Sequence, residues 1–458
     1  MMLPWQKRPL ALNSPRDLPG LALWLDSKDV SSLRNDAGAQ PVTTDGIKLA
    51  SDKSGNSSTN VLCLDGVSGN YASASDSVPL SITEDIDLRE RVALDDWTPA
   101  AFMMLLAKDT SGQRSYTFGV QATTGLLVVG YSTDGVNLVE LTSSVAPTVS
   151  DYGALWVRVT LDVDNGAAGK TATFYTGGSG ETPTWVQLGT TQTTAGTITI
   201  ADTTSVLQIG SNFLTSNRLK GVVYRAQVYA GLTGSDLRFD ANFATAAKLA
   251  TSFTESSSNA ATVTINTSGA TGARISGARD LYQGTAANQP ILTIAAAGNY
   301  LTFDGSNDYL KAAAFALAQP ETVYFVGSQV TWTNGDNFFE GGSASAAMFQ
   351  NGVTPNIGIN AGSTIGNITT LALNTYGVLS AVFNGASSSY RLNRLAAGAG
   401  NAGANNPNGF TLGSNTAGAG AFANITAQEV LVYSGAHDKA TQDRVIAYLA
   451  NRNRIALT

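Results

Sequence analysis

The chain has 458 residues, too many for one comfortable core, so two or more domains are expected. Hydrophobic residues make up 43%, charged residues only 13%, and the formal net charge is −7; that balance speaks against electrostatic capture of nucleic acid or of an anionic membrane. The one cysteine, Cys63, lies in an apolar alternation, which rules out an internal disulfide and reads as a small buried hydrophobe.

The first twenty residues, MMLPWQKRPLALNSPRDLPG, are broken by Pro4, Pro9, Pro15 and Pro19. They hold no apolar run of signal-peptide length, and no later run approaches a membrane span. The chain is therefore expected to stay in a reducing cytoplasm, or to leave the cell by a route other than general secretion. Residues 1–17 mix Trp5 and Leu10 with Lys7, Arg8 and Arg16 ahead of the first domain pattern. They read as an extended arm docking through Trp5 and Leu10, with a disordered terminus as the alternative.

Beyond the arm nearly all periodicity is of period two. LCLDG (62–66), WVRVTLDV (156–163), VVYRAQVY (222–229) and EVLVY (429–433) alternate apolar and polar residues. Asp-Gly at Asp65, Asp134 and Asp304 and Asn-Gly at Asn165, Asn334, Asn351 and Asn384 interrupt the runs. Many short strands with tight turns predict an antiparallel all-β sandwich. Trp97 and Trp156 fall in strand patterns and are expected in the core. In SITEDIDLRE (81–90), Glu84, Asp85, Asp87 and Glu90 read as a polar face opposite Ile82, Ile86 and Leu88. Two segments carry a helical period: a weak one over 236–250, DLRFDANFATAAKLA, and a strong one over 438–453. In the latter, Val445, Ile446, Leu449 and Ala450 make one stripe.

Three anchors recur in the same order. LCLDGVSGNY (62–71) matches LTFDGSNDYL (301–310), and YGALWVRVTLDVDNG (from Tyr152) matches YGVLSAVFNG (from Tyr376). LQIGSN with LKGVVYRAQVYAG (207–231) matches FTLGSN with FANITAQEVLVYSG (410–435). Spacings between the anchors differ, as two copies of one domain with unequal loops would leave them. The expectation is two tandem antiparallel jelly-roll β-sandwiches, over 18–270 and 271–458, with short helices at the domain ends and a core in each.

LPGLALWLDSKDVSSL, SDKSGN, FDGSNDYL and EVLVYSGAHDKATQDRVIAYLANR resemble the concanavalin A-like, laminin-G-type jelly rolls of tailed-bacteriophage virion proteins. YASASDSVPLSITEDIDLRERVALDDWTP is similar to the opening strands of such modules in phage tail proteins. The resemblance runs from Leu18 onward. It implies a virion structural protein of the tail or head exterior, assembled in the host cytoplasm with other virion proteins as partners. Host-surface glycan adhesion is the binding function it implies, and a dedicated receptor-binding adhesin of the tail is the alternative. A homo-oligomer built through sandwich surfaces stays open, although no heptad or Gly-X-Y repeat marks a fibre.

A glycan-degrading enzyme is the third class, and the sequence disfavours it. Laminarinase-like members of the wider fold carry paired glutamates on one strand, and the acids of 84–90 do not fall into that pattern. The sole histidine, His437, stands before Asp438; a helix-entry turn with Asp438 as N-cap explains the pair without catalysis. No catalytic set and no cofactor are expected. Laminin-G-type sandwiches hold calcium at the rim, and Asp162, Asp164 and Asn165 in LDVDNG are the candidate ligands for a structural calcium. Trp332 with Asp336 and Asn337, in VTWTNGDNFFEGG (330–342), is the candidate glycan site, since sugars need an aromatic face flanked by hydrogen-bonding groups.

Overall fold

The computed structural model describes residues 12–213, 216–296 and 298–457, apart from the side chains of 367–369. The regular structure of the described residues is overwhelmingly antiparallel strand, with one α-helix, Lys439–Asn453. None of their helices is long and apolar enough to cross a membrane. The chain forms two compact units, each a sandwich of two sheets: Thr59–Ala278 is one, and the chain up to Ser58 together with Arg279 onward is the other.

In the inserted unit one sheet runs Val186–Gln187, Gly169–Gly177, Ala154–Asp162, Ile86–Leu94, Lys220–Ala230, Asn60–Asp65, Arg274–Gly277. The facing sheet is centred on Met103–Thr110, Leu207–Ile209 and Tyr71–Ala74. Leu62, Leu88, Val92, Phe118, Val157, Phe174 and Val228 fill the space between them. In the outer unit one sheet runs Ile291–Thr293, Tyr300–Asp304, Asn424–Ser434, Glu321–Gln329, Gly377–Phe383, Ser388–Leu392, Gly398–Gly400. Its partner sheet is centred on Leu310–Lys311, Phe410–Leu412 and Asn337–Gly341, and Leu301, Phe303, Phe325, Phe339 and Val430 lie between.

The repeat anchors occupy equivalent places in the two units. Asn60–Asp65 lies beside Lys220–Ala230, and Tyr300–Asp304 lies beside Asn424–Ser434. Leu62 opposes Val223 as Leu301 opposes Ala427, which makes Leu64 and Phe303 counterparts. Gly210 and Gly413 both have φ +86°, and a Cβ on them would strike Leu64 and Phe303 respectively. Each closing strand also carries a bulge at the same point, with Tyr224 extra in one and Gln428 extra in the other. The middle anchor matches by strand but not by residue. Val157 opposes Glu90 where Leu379 opposes Phe325, so the true correspondence is displaced by two from the Tyr152/Tyr376 alignment.

The tandem boundaries 18–270 and 271–458 are corrected: one sandwich is inserted into the other. Leu21–Asp26 pairs with the closing strand of the outer unit, Leu25 opposite Val430 and Asp26 opposite Glu429. The insertion enters and leaves side by side, because Asn60 opposes Gly277. Residues 12–17, expected as part of an extended arm, pack on the outer unit. Leu12 joins an apolar cluster with Trp24, Leu431 and Tyr433, Pro15 is buried, and the Tyr433 hydroxyl donates to the Pro15 carbonyl at 3.0 Å. Trp5 and Leu10 lie outside the described residues. The helix expected over 236–250 is instead the strand Asp236–Asn242 and a 3-10 turn, Phe243–Thr245. Phe239, Ala241 and Phe243 point into the core in alternation, and pairing with Lys220–Ala230 outweighs the weak helical period.

The outer face of the corresponding sheet differs between the copies. In the outer unit Tyr324, Val326, Val378 and Leu431 pack under the helix stripe Val445, Ile446, Leu449 and Ala450. The equivalent positions of the inserted unit are Arg89, Arg91, Trp156 and Gln227. Arg158 there makes a bidentate pair with Asp87 at 3.0 and 2.9 Å, Arg225 one with Asp240 at 2.6 and 2.6 Å, and Arg89 lies 4.1 Å over the Tyr229 ring. Trp156, expected in the core, is buried on this outer face against Trp185, with ring centroids 6.0 Å apart.

Two buried glutamates break the alternation. Glu90 points inward between Leu88 and Val92 with neither carboxylate oxygen bonded, and burial pushes its pKa well up; the expected polar face of 84–90 therefore holds for Asp87 but not for Glu90. Glu321 is 1% exposed with Oε2 unpartnered, and burial raises its pKa to about 8.

Residues 59–278 made alone should fold and unfold cooperatively on heating. A chain of 18–270 should be less stable, since Leu21–Asp26 then lacks its partner; the two melting curves decide. Glu321 binds its proton more tightly folded than unfolded, so its contribution to stability is complete below pH 4.5 and is lost as pH rises to about 8. Relative to Glu321→Gln, the wild type should lose up to ~1.4 kcal/mol per pH unit over that window in denaturant titrations.

Candidate functional site

The bulge at Gln428 sets the site. Along Asn424–Ser434, Ile425, Ala427, Val430 and Val432 face the core, while Leu431 and Tyr433 face the helix. Between Ala427 and Val430 stand two residues, and the extra one, Gln428, has no partner across the ladder. Its carbonyl is held by the Ser27 amide at 3.0 Å and the Ser27 hydroxyl at 2.8 Å. A bulge redirects a side chain that strict alternation would commit to one face.

Gln428 lines a cleft of about 810 Å³ together with Tyr300, Tyr376, Asn393, Asn453 and Arg454. The rings of Tyr300 and Tyr376 meet edge to face, 6.3 Å apart at 61°. Gln428 and Asn453 are each 4% exposed, and Gln428 Oε1 and Asn453 Oδ1 have no hydrogen-bond partner. Buried acceptors left unbonded are costly, and both belong to residues that line the cleft. Asn393 Oδ1 is committed to the Val378 amide at 2.9 Å, and burial raises the pKa of Tyr376, whose hydroxyl bonds with Thr426 and Ser328.

The helix end is held there by a buried ion cluster. Asn453 Nδ2 donates to Glu429 Oε2 at 3.1 Å and to the Leu449 carbonyl at 2.8 Å. Arg452 bonds Glu429 at 3.2 Å and also Asp26, Lys53 reaches Asp26 at 2.8 Å, and the Trp24 indole donates to Glu429 Oε1 at 2.9 Å. Burial first, then the Asp26 charge, raise the Glu429 pKa. Arg454 ends the helix with φ +56° and anchors on the Ala296 carbonyl at 3.0 Å.

The cleft brings together an aromatic pair and two residues, Gln428 and Asn453, that each carry an unbonded side-chain oxygen. Among the described residues no carboxylate lines it.

The sequence candidates fall elsewhere. Trp332 is half-buried with its indole N–H donating to the Asn356 carbonyl at 3.0 Å. Asn337 is buried and its amide donates to Glu340 at 3.2 Å, while burial raises the pKa of Asp336. The three flank one turn, closed by the Asp336 amide on the Thr333 carbonyl at 3.2 Å. Asp162, Asp164 and Asn165 form the hairpin turn after Ala154–Asp162, and their oxygens accept from the amides of Asp164, Gly166, Ala167 and Gly169. Among the described residues no group of three or more His, Cys, Asp or Glu side chains is placed to hold a metal ion. Asp438 caps the helix, accepting from the Thr441 amide at 2.7 Å; His437 Nδ1 meets the Tyr324 hydroxyl at 2.8 Å, and burial lowers its pKa to about 4. The signal for the tyrosine cleft was present in AQEVLV, where two polar residues in succession interrupt period two.

No protein-family model and no curated protein matches the chain. Among solved structures, the LG1-3 region of the laminin alpha2 chain aligns at 11% identity, covering 87% of this chain and 69% of that one, with a TM-score of 0.33. Domains LG4-5 of the mouse laminin alpha1 chain align at 11% identity over 87% of this chain and 96% of that one, TM-score 0.32. The CBM40 of the Ruminococcus gnavus IT-sialidase, solved bound to alpha2,3 sialyllactose, aligns at 16% identity over 39% of this chain and 95% of that one, TM-score 0.27. These likenesses concern the fold alone.

Proposed function

We propose that the chain is a structural protein of a tailed-phage virion, on the tail or head exterior, and that its outer sandwich binds an uncharged sugar unit of the host surface. The observation that carries the binding reading is the pair of buried, unbonded oxygens, Gln428 Oε1 and Asn453 Oδ1, in a cleft lined by Tyr300 and Tyr376. Sugar hydroxyls supply donors for both oxygens, and the apolar face of the ring packs on tyrosine. The viral setting rests on the sequence stretches quoted above, which the outer unit uses for its first strand, its closing strand and its helix. Other virion proteins are the structural partners in this reading.

A glycan array probed with the full chain tests it. Gln428→Leu keeps the volume and removes the acceptor, so affinity for any captured neutral glycan should fall roughly tenfold, from a loss of ~1–1.5 kcal/mol. Tyr300→Ala should weaken the same ligand, and Trp332→Ala should leave it unchanged. Loss of binding with Trp332→Ala and not with Gln428→Leu would move the site to the other turn.

A further inference from the structure

The opposite end of the helix Lys439–Asn453 borders a second cleft of the outer unit, of about 510 Å³. Arg391, Arg394, His437, Asp438, Lys439 and Ser389 are among its lining residues. Arg391 is 2% exposed; its Nε donates to the Leu395 carbonyl at 3.2 Å, its Nη2 to Asp443 Oδ1 at 2.9 Å, and its Nη1 has no partner. A guanidinium has no acceptor of its own, so a buried Nη1 without a partner asks for an oxygen from outside the chain. Among the described residues the one carboxylate lining the cleft is Asp438, whose Oδ1 accepts from the Thr441 amide. Asp443, just outside, is shared by Arg391 and Lys439. With His437 neutral above about pH 4, the lining carries three cations against one anion, in a chain whose formal charge is −7. The first turn of the helix, capped by Asp438, adds the positive end of its dipole.

We propose that this cleft is an oxyanion site, with Arg391 Nη1 as the anchoring donor and Arg394 and Lys439 as flanking cations. The group it takes is a carboxylate, sulfate or phosphate, presented either by an acidic sugar or as the free ion. The site rests on its own residues and does not depend on the tyrosine cleft binding sugar.

Titration calorimetry on the full chain at low salt, with inorganic phosphate and methyl glucuronide as probes and methyl glucoside as the neutral control, tests it. Binding of either anionic probe, weakened by added salt and absent for the glucoside, is the expected result. Phosphate alone would identify a free-ion site, and tighter glucuronide binding an acidic-sugar site. Arg394→Gln and Lys439→Gln change exposed side chains and should each weaken binding several-fold. Arg391→Lys keeps the charge beside Asp443 but loses the fork, and should weaken it about tenfold or more. Absence of heat with both anions, or anion binding that all three variants leave intact, overturns the proposal.

Discussion

Asp26 and Glu429 stand directly opposite each other on paired strands, and neither is exposed. Like charges in that position repel, and burial removes the water that would screen them. Arg452 bonds both, Lys53 bonds the first, and the Trp24 indole and Asn453 amide bond the second. One knot thus joins the first strand, the closing strand and the last turn of the helix. Both clefts of the outer unit follow from it. Fixing the end of the helix sets Asn453 and Arg454 beside Gln428, and the rigid rod then carries Asp438 and Lys439 to Arg391 at the other end.

Much of this fold was legible in the sequence, because turns and alternation are local. Asp65-Gly66 and Asp304-Gly305 mark matching strand ends, and Gly210 and Gly413 share a left-handed conformation that packing on Leu64 and Phe303 demands. The nesting was not legible. LALWLD (21–26) reads as an apolar strand, but nothing within it says that its partner lies some four hundred residues later. Residues 236–250 show the same limit, since a short run can satisfy two periods and only its neighbour decides between them.

The sites were harder to read than the fold. Trp332 and the Asp162 hairpin were chosen on composition; the Trp332 indole bonds the Asn356 carbonyl, and one oxygen each of Asp162 and Asp164 accepts from an amide of the hairpin. Gln428, Asn453 and Arg391 became candidates because one polar atom of each, Oε1, Oδ1 and Nη1, is buried without a partner, and only the packed structure shows that. The duplication sharpens the contrast. At one sheet face, one copy places Tyr324, Val326 and Leu431 beneath a helix, and the other places Arg89, Arg91 and Gln227 in a lattice of carboxylates and rings. One scaffold has been given two chemistries by changing outward residues while the inward ones, Glu90 and Glu321 apart, stay apolar.

Nesting also sets a timetable on the ribosome. Every described strand of the guest body has emerged once Gly277 is out, whereas its host waits for Asn424–Ser434, a central strand made about 150 residues later. At ~5–20 residues per second that interval lasts on the order of ten seconds or more. Throughout it Leu21–Asp26, apolar and already synthesised, has no native neighbour to pair with. The guest therefore matures first, and the host's earliest strand is the one most in need of a chaperone during translation.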